Sequence, residues 1–330
     1  MKCIVTGGNG FLGSYIVQQL LQRGDEVISV ARSNQVELEK AGVKVLKGDI
    51  QDAQFLEKAF QGADAVFHTA ARAAIWGNWD LFYGINVLGT QNVINACLKK
   101  KVPKLVYTSS PSVIFGEDDL ENVDEKIPYP EKYLAFYPQT KAIAEQMVIK
   151  QNGQGGLLTC SLRPHLIFGP GDNHLIPRVI EKAKKGKLKI VGSGNNLVDI
   201  VYVENAAKAH LLAVDRLVED SPVCGSNYFI SQGKPVNLWN WVNDLLEKLG
   251  IPKVKKNVSY EKAFIAGKLF EKSYKLLGLK GEPPMTRFVS SQLAKSHYFN
   301  ISKAQEELNY TNLISTEEAL QKTLHALRSK

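Results

Sequence analysis

Residues 1–13 read Met1-Lys2-Cys3-Ile4-Val5-Thr6-Gly7-Gly8-Asn9-Gly10-Phe11-Leu12-Gly13. An apolar run enters a glycine turn and leaves it as a segment in which Leu12, Ile16 and Leu20 recur at four-residue steps. That is the signature of a strand, a tight turn and a helix with one apolar face. Gly7, Gly10 and Gly13 fall three apart. A turn this tight needs permissive dihedrals, a phosphate needs the bare backbone, and the helix must pack close to the strand. The helix N-terminus then offers free N–H groups and a favourable dipole to an anion. Gly7, Gly10 and Gly13, with Asn9, Phe11 and Leu12 between them, are therefore expected to hold the pyrophosphate of a dinucleotide.

Working outward, short β-branched runs alternate with amphipathic segments. Strands are expected at 2–6, 26–30, 43–47, 65–69, 104–109 and 158–163, and helices at 11–23, 54–60, 80–101 and 138–151. This alternation predicts an α/β doubly wound parallel sheet. After Gly169 it loosens, and Pro- and Gly-containing stretches interrupt the pattern. Residues 1–169 are read as a dinucleotide-binding domain to which 197–215 returns, with 170–189 and 226–330 as a smaller substrate domain.

The second strand ends in Ala31-Arg32-Ser33. A carboxylate there would bond a free ribose 2′-hydroxyl and repel a 2′-phosphate. Arg32 instead offers a planar cationic fork. NADP(H) is thus favoured, with NAD(H) as the alternative. Asp49 and Ile50 follow the third strand where the adenine edge would lie; Asp49 alternatively caps a helix.

The chain has 330 residues, 44% of them hydrophobic, a net charge of +8 and four cysteines without a CxxC pair. The lysines are scattered, without an interleaved aromatic module or zinc spacing, so no nucleic-acid partner and no metal site are expected. Cys3, Cys97 and Cys160 sit in apolar runs and read as core residues. No leader-like segment precedes the first strand and no apolar run is long enough to span a bilayer, which makes a cytoplasmic location the expectation.

Tyr137-Pro138-Gln139-Thr140-Lys141 places a tyrosine and a lysine on one helix face, near the positive end of its dipole. Reducing a carbonyl by hydride requires a proton donor at the nascent alkoxide. Bringing a tyrosine from about 10 to neutrality takes about 4 kcal/mol, which the Lys141 ammonium, the helix terminus and an oxidised nicotinamide would help supply. The fifth strand ends in Tyr107-Thr108-Ser109-Ser110, at the sheet edge where ligands bind, and a hydroxyl there could orient the substrate oxygen.

Several stretches together resemble the extended short-chain dehydrogenase/reductases over nearly the whole chain: TGGNGFLG at 6–13, VFHTAA at 66–71, NVLGT at 86–90, YTSSPSV at 107–113, YPQTK at 137–141 and LRPHLIFGPGD at 162–172. The tail around Thr286–Phe288 and His297–Ala304 resembles the 3β-hydroxysteroid dehydrogenase/isomerase branch. WGNWD at 76–80 and GPGDNHLIPR at 169–178 are similar to bacterial reductases acting on 2-alkyl-3-oxoalkanoates. The resemblance implies a Rossmann-type fold and a catalytic set of Ser110 (Ser109 as fallback), Tyr137 and Lys141, with Lys141 also on the nicotinamide ribose. It places Ala70, Ala71, Thr108, Pro164 and His165 along the cofactor, gives Asn86 an indirect supporting role, and implies a homodimer.

The substrate side is expected around Trp76, Trp79, His174 and Arg178, the last as anchor for a carboxylate. Their aromatic surroundings suit a small hydrophobic keto or hydroxy substrate of 2-alkyl-3-oxoalkanoate or 3β-hydroxysteroid type. The alternatives are a sugar-nucleotide epimerase or dehydratase retaining NAD, and a non-enzymatic dinucleotide sensor. Residues 263–279 form a basic amphipathic stretch that packs on the core, caps the pocket or makes peripheral contact with a membrane.

Overall fold

The computed structural model describes residues 1–329. Seven parallel strands form the main sheet in the order Asn227–Ile230, Leu158–Pro164, Lys104–Thr108, Ala65–His68, Lys2–Thr6, Glu26–Ala31, Lys44–Lys47. The order reverses at Lys2–Thr6, which places a crevice at the carboxyl ends of the first and fourth strands.

Alternation along each strand divides the core. Ile4, Ile28, Val66 and Leu105 face Phe60, Val93, Ile94 and Val148 on one side of the sheet. Val5, Val27, Phe67 and Val106 face Ile16, Leu20 and Val214 on the other. Both faces are covered because side chains switch side at every residue of a strand, and every strand here is apolar in both phases. The doubly wound architecture is as the sequence predicts.

Three features depart from the sequence expectation. Asn227–Ile230, inside the stretch assigned to the smaller domain, is the seventh strand of the large sheet, paired with Leu158–Pro164. Conversely, Leu120–Val123 leaves the large sheet and pairs in parallel with His297–Phe299, in a four-stranded sheet with Leu197–Val198 and Val236–Asn237. The helix expected at 80–101 is three pieces: Trp79–Phe82, a π-helical turn Tyr83–Leu88, and Gly89–Lys100. In that turn Gly89 N–H reaches the Gly84 carbonyl, five residues back. Helix Val203–Arg216 packs beside helix Phe11–Gln22, where Gln19 Nε2 donates to the Glu204 carbonyl at 2.9 Å.

Beneath helix Phe136–Lys150 lies a fully buried ion pair. Arg163 Nη2 donates to Glu145 Oε1 at 2.6 Å, and Ser161 Oγ (2.9 Å) and Tyr129 Oη (2.6 Å) donate to the same carboxylate. Burial alone would push the Glu145 carboxyl up, but the Arg163 charge and the hydrogen bonds from Arg163 and Tyr129 hold it below its ordinary value. Removing one member strands the other in the interior. Glu145→Ala is expected to lower the free energy of unfolding by about 3–5 kcal/mol. In urea denaturation a Glu145→Leu/Arg163→Met double variant should lose less than that single change.

Candidate active site

The glycine turn is built as its chemistry requires. Gly7 has φ +74°, Gly10 N–H donates to the Gly7 carbonyl at 2.8 Å, and helix Phe11–Gln22 starts with no side-chain cap and no acidic residue in its first turn. A Cβ on Gly13 would lie 2.2 Å from the Gly7 carbonyl oxygen, and one on Gly7 would lie 3.0 Å from the Ala70 backbone. Only glycine lets the first helix sit this low on the first strand, with its N–H groups free for an anion.

From this cradle a cleft of about 610 Å³ runs along the sheet's carboxyl edge. Gly7, Asn9, Gly10, Phe11, Leu12, Gly13, Arg32, Asp49, Ile50, Ala70, Ala71, Thr108, Ser110, Tyr137, Lys141, Pro164 and His174 all line it. The walls also include Ala73, Ile85, Leu166, Ile167 and Asp172. Leu166 holds a left-handed backbone at φ +42°, which is strained for a branched residue and marks a spot whose shape the surroundings impose. Arg32 is exposed, with Nη1 3.9 Å from Asp49 Oδ2, and Asn9 Nδ2 donates to Ser33 Oγ at 2.6 Å. Asp49 is not the helix cap; Asp52 accepts the Phe55 N–H and caps helix Ala53–Ala59.

At the far end of the cleft, helix Phe136–Lys150 begins without a side-chain cap, so Tyr137 occupies its first turn. Lys141 Nζ donates to the Thr108 carbonyl at 2.5 Å and lies 4.1 Å from the Tyr107 ring centroid. Burial pushes this ammonium down to about 7, with the Glu145 carboxylate pulling the other way. The Tyr137 phenol is raised by burial, and the Ser110 hydroxyl is the one group pulling it down. The sequence reading expected Lys141 to lower Tyr137. Among this chain's own groups burial dominates the phenol, and the ammonium is engaged by Thr108 and the Tyr107 face.

Ser109 and Ser110 both line the cleft, and their hydroxyls differ in surroundings. Ser110 Oγ accepts from Ser112 N–H (3.2 Å) and Ser112 Oγ (3.0 Å), leaving its own proton to donate. Ser109 Oγ is buried and turned toward the Glu145 carboxylate.

A buried polar framework fixes these groups. His210 Nδ1–H donates to the Ala206 carbonyl at 2.7 Å, so its Nε2 accepts from Thr108 Oγ1 at 2.8 Å. On the π-helical turn, the Asn86 amide holds Arg72 through its N–H (2.8 Å) and carbonyl (3.3 Å) and donates to Thr140 Oγ1 at 3.0 Å. The extra residue in that turn aims Asn86 inward, as such bulges often do at functional sites. Asp172 accepts the N–H groups of His174 (2.7 Å), Leu175 (3.1 Å) and Ile176 (2.8 Å), shaping the entrance to helix Ile176–Lys184. Sequence reasoning missed His210 and Asp172. An acidic residue just before an Ile-Pro helix start signals the second; nothing local signals the first.

Four expected residues lie outside this cleft. His165 points into the core, where Nε2 meets His297 Nδ1 at 2.7 Å between Phe115 and Phe299, because strand alternation sends it opposite to Pro164. Trp76 lines a separate cavity of about 100 Å³ with Phe82, Phe136 and Lys275. Trp79 packs on Tyr83 and Phe136 at 5.4 and 5.5 Å between ring centroids. Arg178 is half-exposed and paired with Glu282 at 3.0 Å, so it is not a free anchor in the cleft.

Among the described residues no helix is long and apolar enough to cross a membrane. Residues 4–259 match the 3-beta hydroxysteroid dehydrogenase/isomerase family. The chain is 43% identical over 324 residues to a 2-alkyl-3-oxoalkanoate reductase of Stenotrophomonas maltophilia, covering 98% of each. It is 34% identical over 331 residues to the human sterol-4-alpha-carboxylate 3-dehydrogenase, decarboxylating, covering 99% of this chain and 88% of that protein. Among solved structures it shares its fold with a UDP-glucose 4-epimerase from Thermotoga maritima, at TM-score 0.78, 24% identity and coverage of 100% and 99%. A dTDP-glucose 4,6-dehydratase from Streptomyces venezuelae with NAD bound is similar at TM-score 0.78 and 23% identity, covering 100% and 98%. Cradle, cleft and relatives agree: the chain is an oxidoreductase of the 3-beta hydroxysteroid dehydrogenase/isomerase family.

Proposed function

We propose that the protein transfers hydride between NADP(H) and the 3-keto or 3-hydroxy group of a hydrophobic acid of 2-alkyl-3-oxoalkanoate type. The observation that carries this reading is the convergence of Ser110, Tyr137 and Lys141 at one end of the cleft whose other end is the glycine cradle. The nicotinamide, when bound, supplies or accepts the hydride. Tyr137, kept protonated by burial, donates to the carbonyl oxygen as it becomes an alkoxide. Ser110 hydrogen-bonds the same oxygen and orients it. Lys141, fixed on the Thr108 carbonyl, puts a positive charge beside the phenol as it loses its proton.

Arg32 and Ser33 at the open end of the cleft would receive the 2′-phosphate, and Ala31 offers no carboxylate to repel it. The small cavity walled by Trp76 and Phe136, next in sequence to Tyr137, suits a flexible alkyl chain better than a fused ring system. The relative at 43% identity, named for such a substrate, supports the same choice. Pairing of two copies across helices Gly89–Lys100 and Phe136–Lys150 belongs to this reading and is supported by the exposed Leu81 and Leu88 nearby.

With NADPH and a 2-alkyl-3-keto acid, Tyr137→Phe should lower turnover by about 10²–10⁴-fold, while a fluorescence titration still shows NADPH binding. No turnover of any 2-alkyl-3-keto acid by the unaltered protein would refute the substrate assignment. Arg32→Ala should raise KM for NADPH by about tenfold or more and leave KM for NADH nearly unchanged, as expected for one charge-assisted contact to the phosphate. Equal changes for the two cofactors would count against NADP(H). Burial lets Lys141 keep its proton only below about 7, so kcat/KM for reduction should fall as pH rises through that value. A profile level to pH 9 would contradict the role given to the ammonium.

A further inference from the structure

Helix Tyr260–Leu276 has one packed face. Ala263, Gly267 and Glu271 are buried against helix Arg287–Ala294. Gly267 allows an approach so close that a Cβ there would lie 2.6 Å from the Thr286 carbonyl carbon. Glu271 accepts Arg287 N–H at 2.7 Å and pairs with its Nε at 2.8 Å. The opposite face is unusual for a helix in water: Ile265, Leu269 and Leu276 are 58%, 59% and 84% exposed, and Leu277 and Leu279 continue the exposed apolar surface. Steps of four and seven residues align the first three in one stripe. Single exposed leucines are ordinary, whereas a contiguous stripe marks a contact surface.

Charge decides what covers it. Lys262, Lys268 and Lys272 border the stripe, and Lys275 and Lys280 lie at its end; all are exposed. The carboxylates of Glu271 and Glu282 are committed to Arg287 and Arg178, leaving Glu261 as the one uncommitted acid over 260–282. A two-fold contact between copies would set these lysines against one another. Anionic headgroups would neutralise them while the leucines enter the acyl boundary. The same helix also walls the aromatic cavity. Tyr274 meets Trp76 edge-on at 6.3 Å, and Lys275 Nζ lies 5.6 Å from the Phe136 ring.

We propose that the outward face of helix Tyr260–Leu276 and the turn after it docks on an anionic lipid bilayer, so that the cavity at Trp76 and Phe136 loads its apolar substrate at the membrane surface. Loading rests on the function proposed above; docking does not.

The test is flotation of the full-length protein with vesicles of phosphatidylglycerol and phosphatidylcholine, and with vesicles of phosphatidylcholine alone. The protein should float with the first and not with the second, and added salt should release it. Leu269→Glu and Leu276→Glu should each weaken partition by about tenfold or more, with NADPH-dependent turnover of a short, water-soluble keto acid unchanged as the check on folding. Three outcomes would overturn the proposal: no binding to the anionic vesicles, equal binding to neutral ones, or a dimer in sedimentation velocity that the same substitutions dissociate. Vesicle binding without turnover of any keto acid would sink the functional reading and leave the docking intact.

Discussion

The ammonium of Lys141 on the carbonyl of Thr108 is the contact around which the site is organised. A charge this deep is tolerable only with a fixed acceptor, an aromatic face and a counter-charge nearby. Thr108 supplies the first, Tyr107 the second, and Glu145, one turn further along the same helix, the third. Each is itself held. Arg163, Ser161 and Tyr129 fix Glu145, and His210 fixes the Thr108 side chain. The position of helix Phe136–Lys150 relative to the fifth strand thus follows from a chain of buried polar contacts rather than from apolar packing alone.

The histidines of this interior are spacers, not acids. Burial pushes His68 down to about 3 and His210 down to about 4. His68 bridges Thr6 Oγ1 (2.7 Å) and Thr90 Oγ1 (2.9 Å), and Thr90 in turn donates to the Asn86 carbonyl at 2.7 Å. Thr90 has one proton, so it accepts from His68 Nε2–H, and Nδ1 accepts from Thr6. The unfolded chain takes up protons near 6.5 that the folded one refuses until about 3–4. These residues therefore weaken folding as pH falls through that window.

What could be read from the sequence was local. The glycine spacing, the strand–helix alternation and the four-residue step from Tyr137 to Lys141 depend on neighbours in the chain, and the structure brings those residues to one cleft. What escaped was set by the tertiary environment. Asn227–Ile230 is four residues at a sheet edge, too short to show a period. The π-helical turn adds one residue inside a continuous apolar pattern, and no composition signal marks it. The direction of the Tyr137 shift depends on how deeply the phenol is buried, which spacing does not state. Pro164 lines the cleft, and its neighbour His165 turns to the other side to meet His297.

The pairing of Leu120–Val123 with His297–Phe299 has a consequence for biogenesis. Asp119 Oδ1 accepts the Ser296 N–H at 2.6 Å across a separation of 177 residues, so this edge stays unsatisfied until the ribosome has added all of the chain between them. An open strand edge waiting that long is a site for mispairing between nascent chains. Asp118 and Asp119 just before it and Glu121 within it place negative charge along the waiting edge, where repulsion keeps neighbouring copies from joining before the native partner arrives.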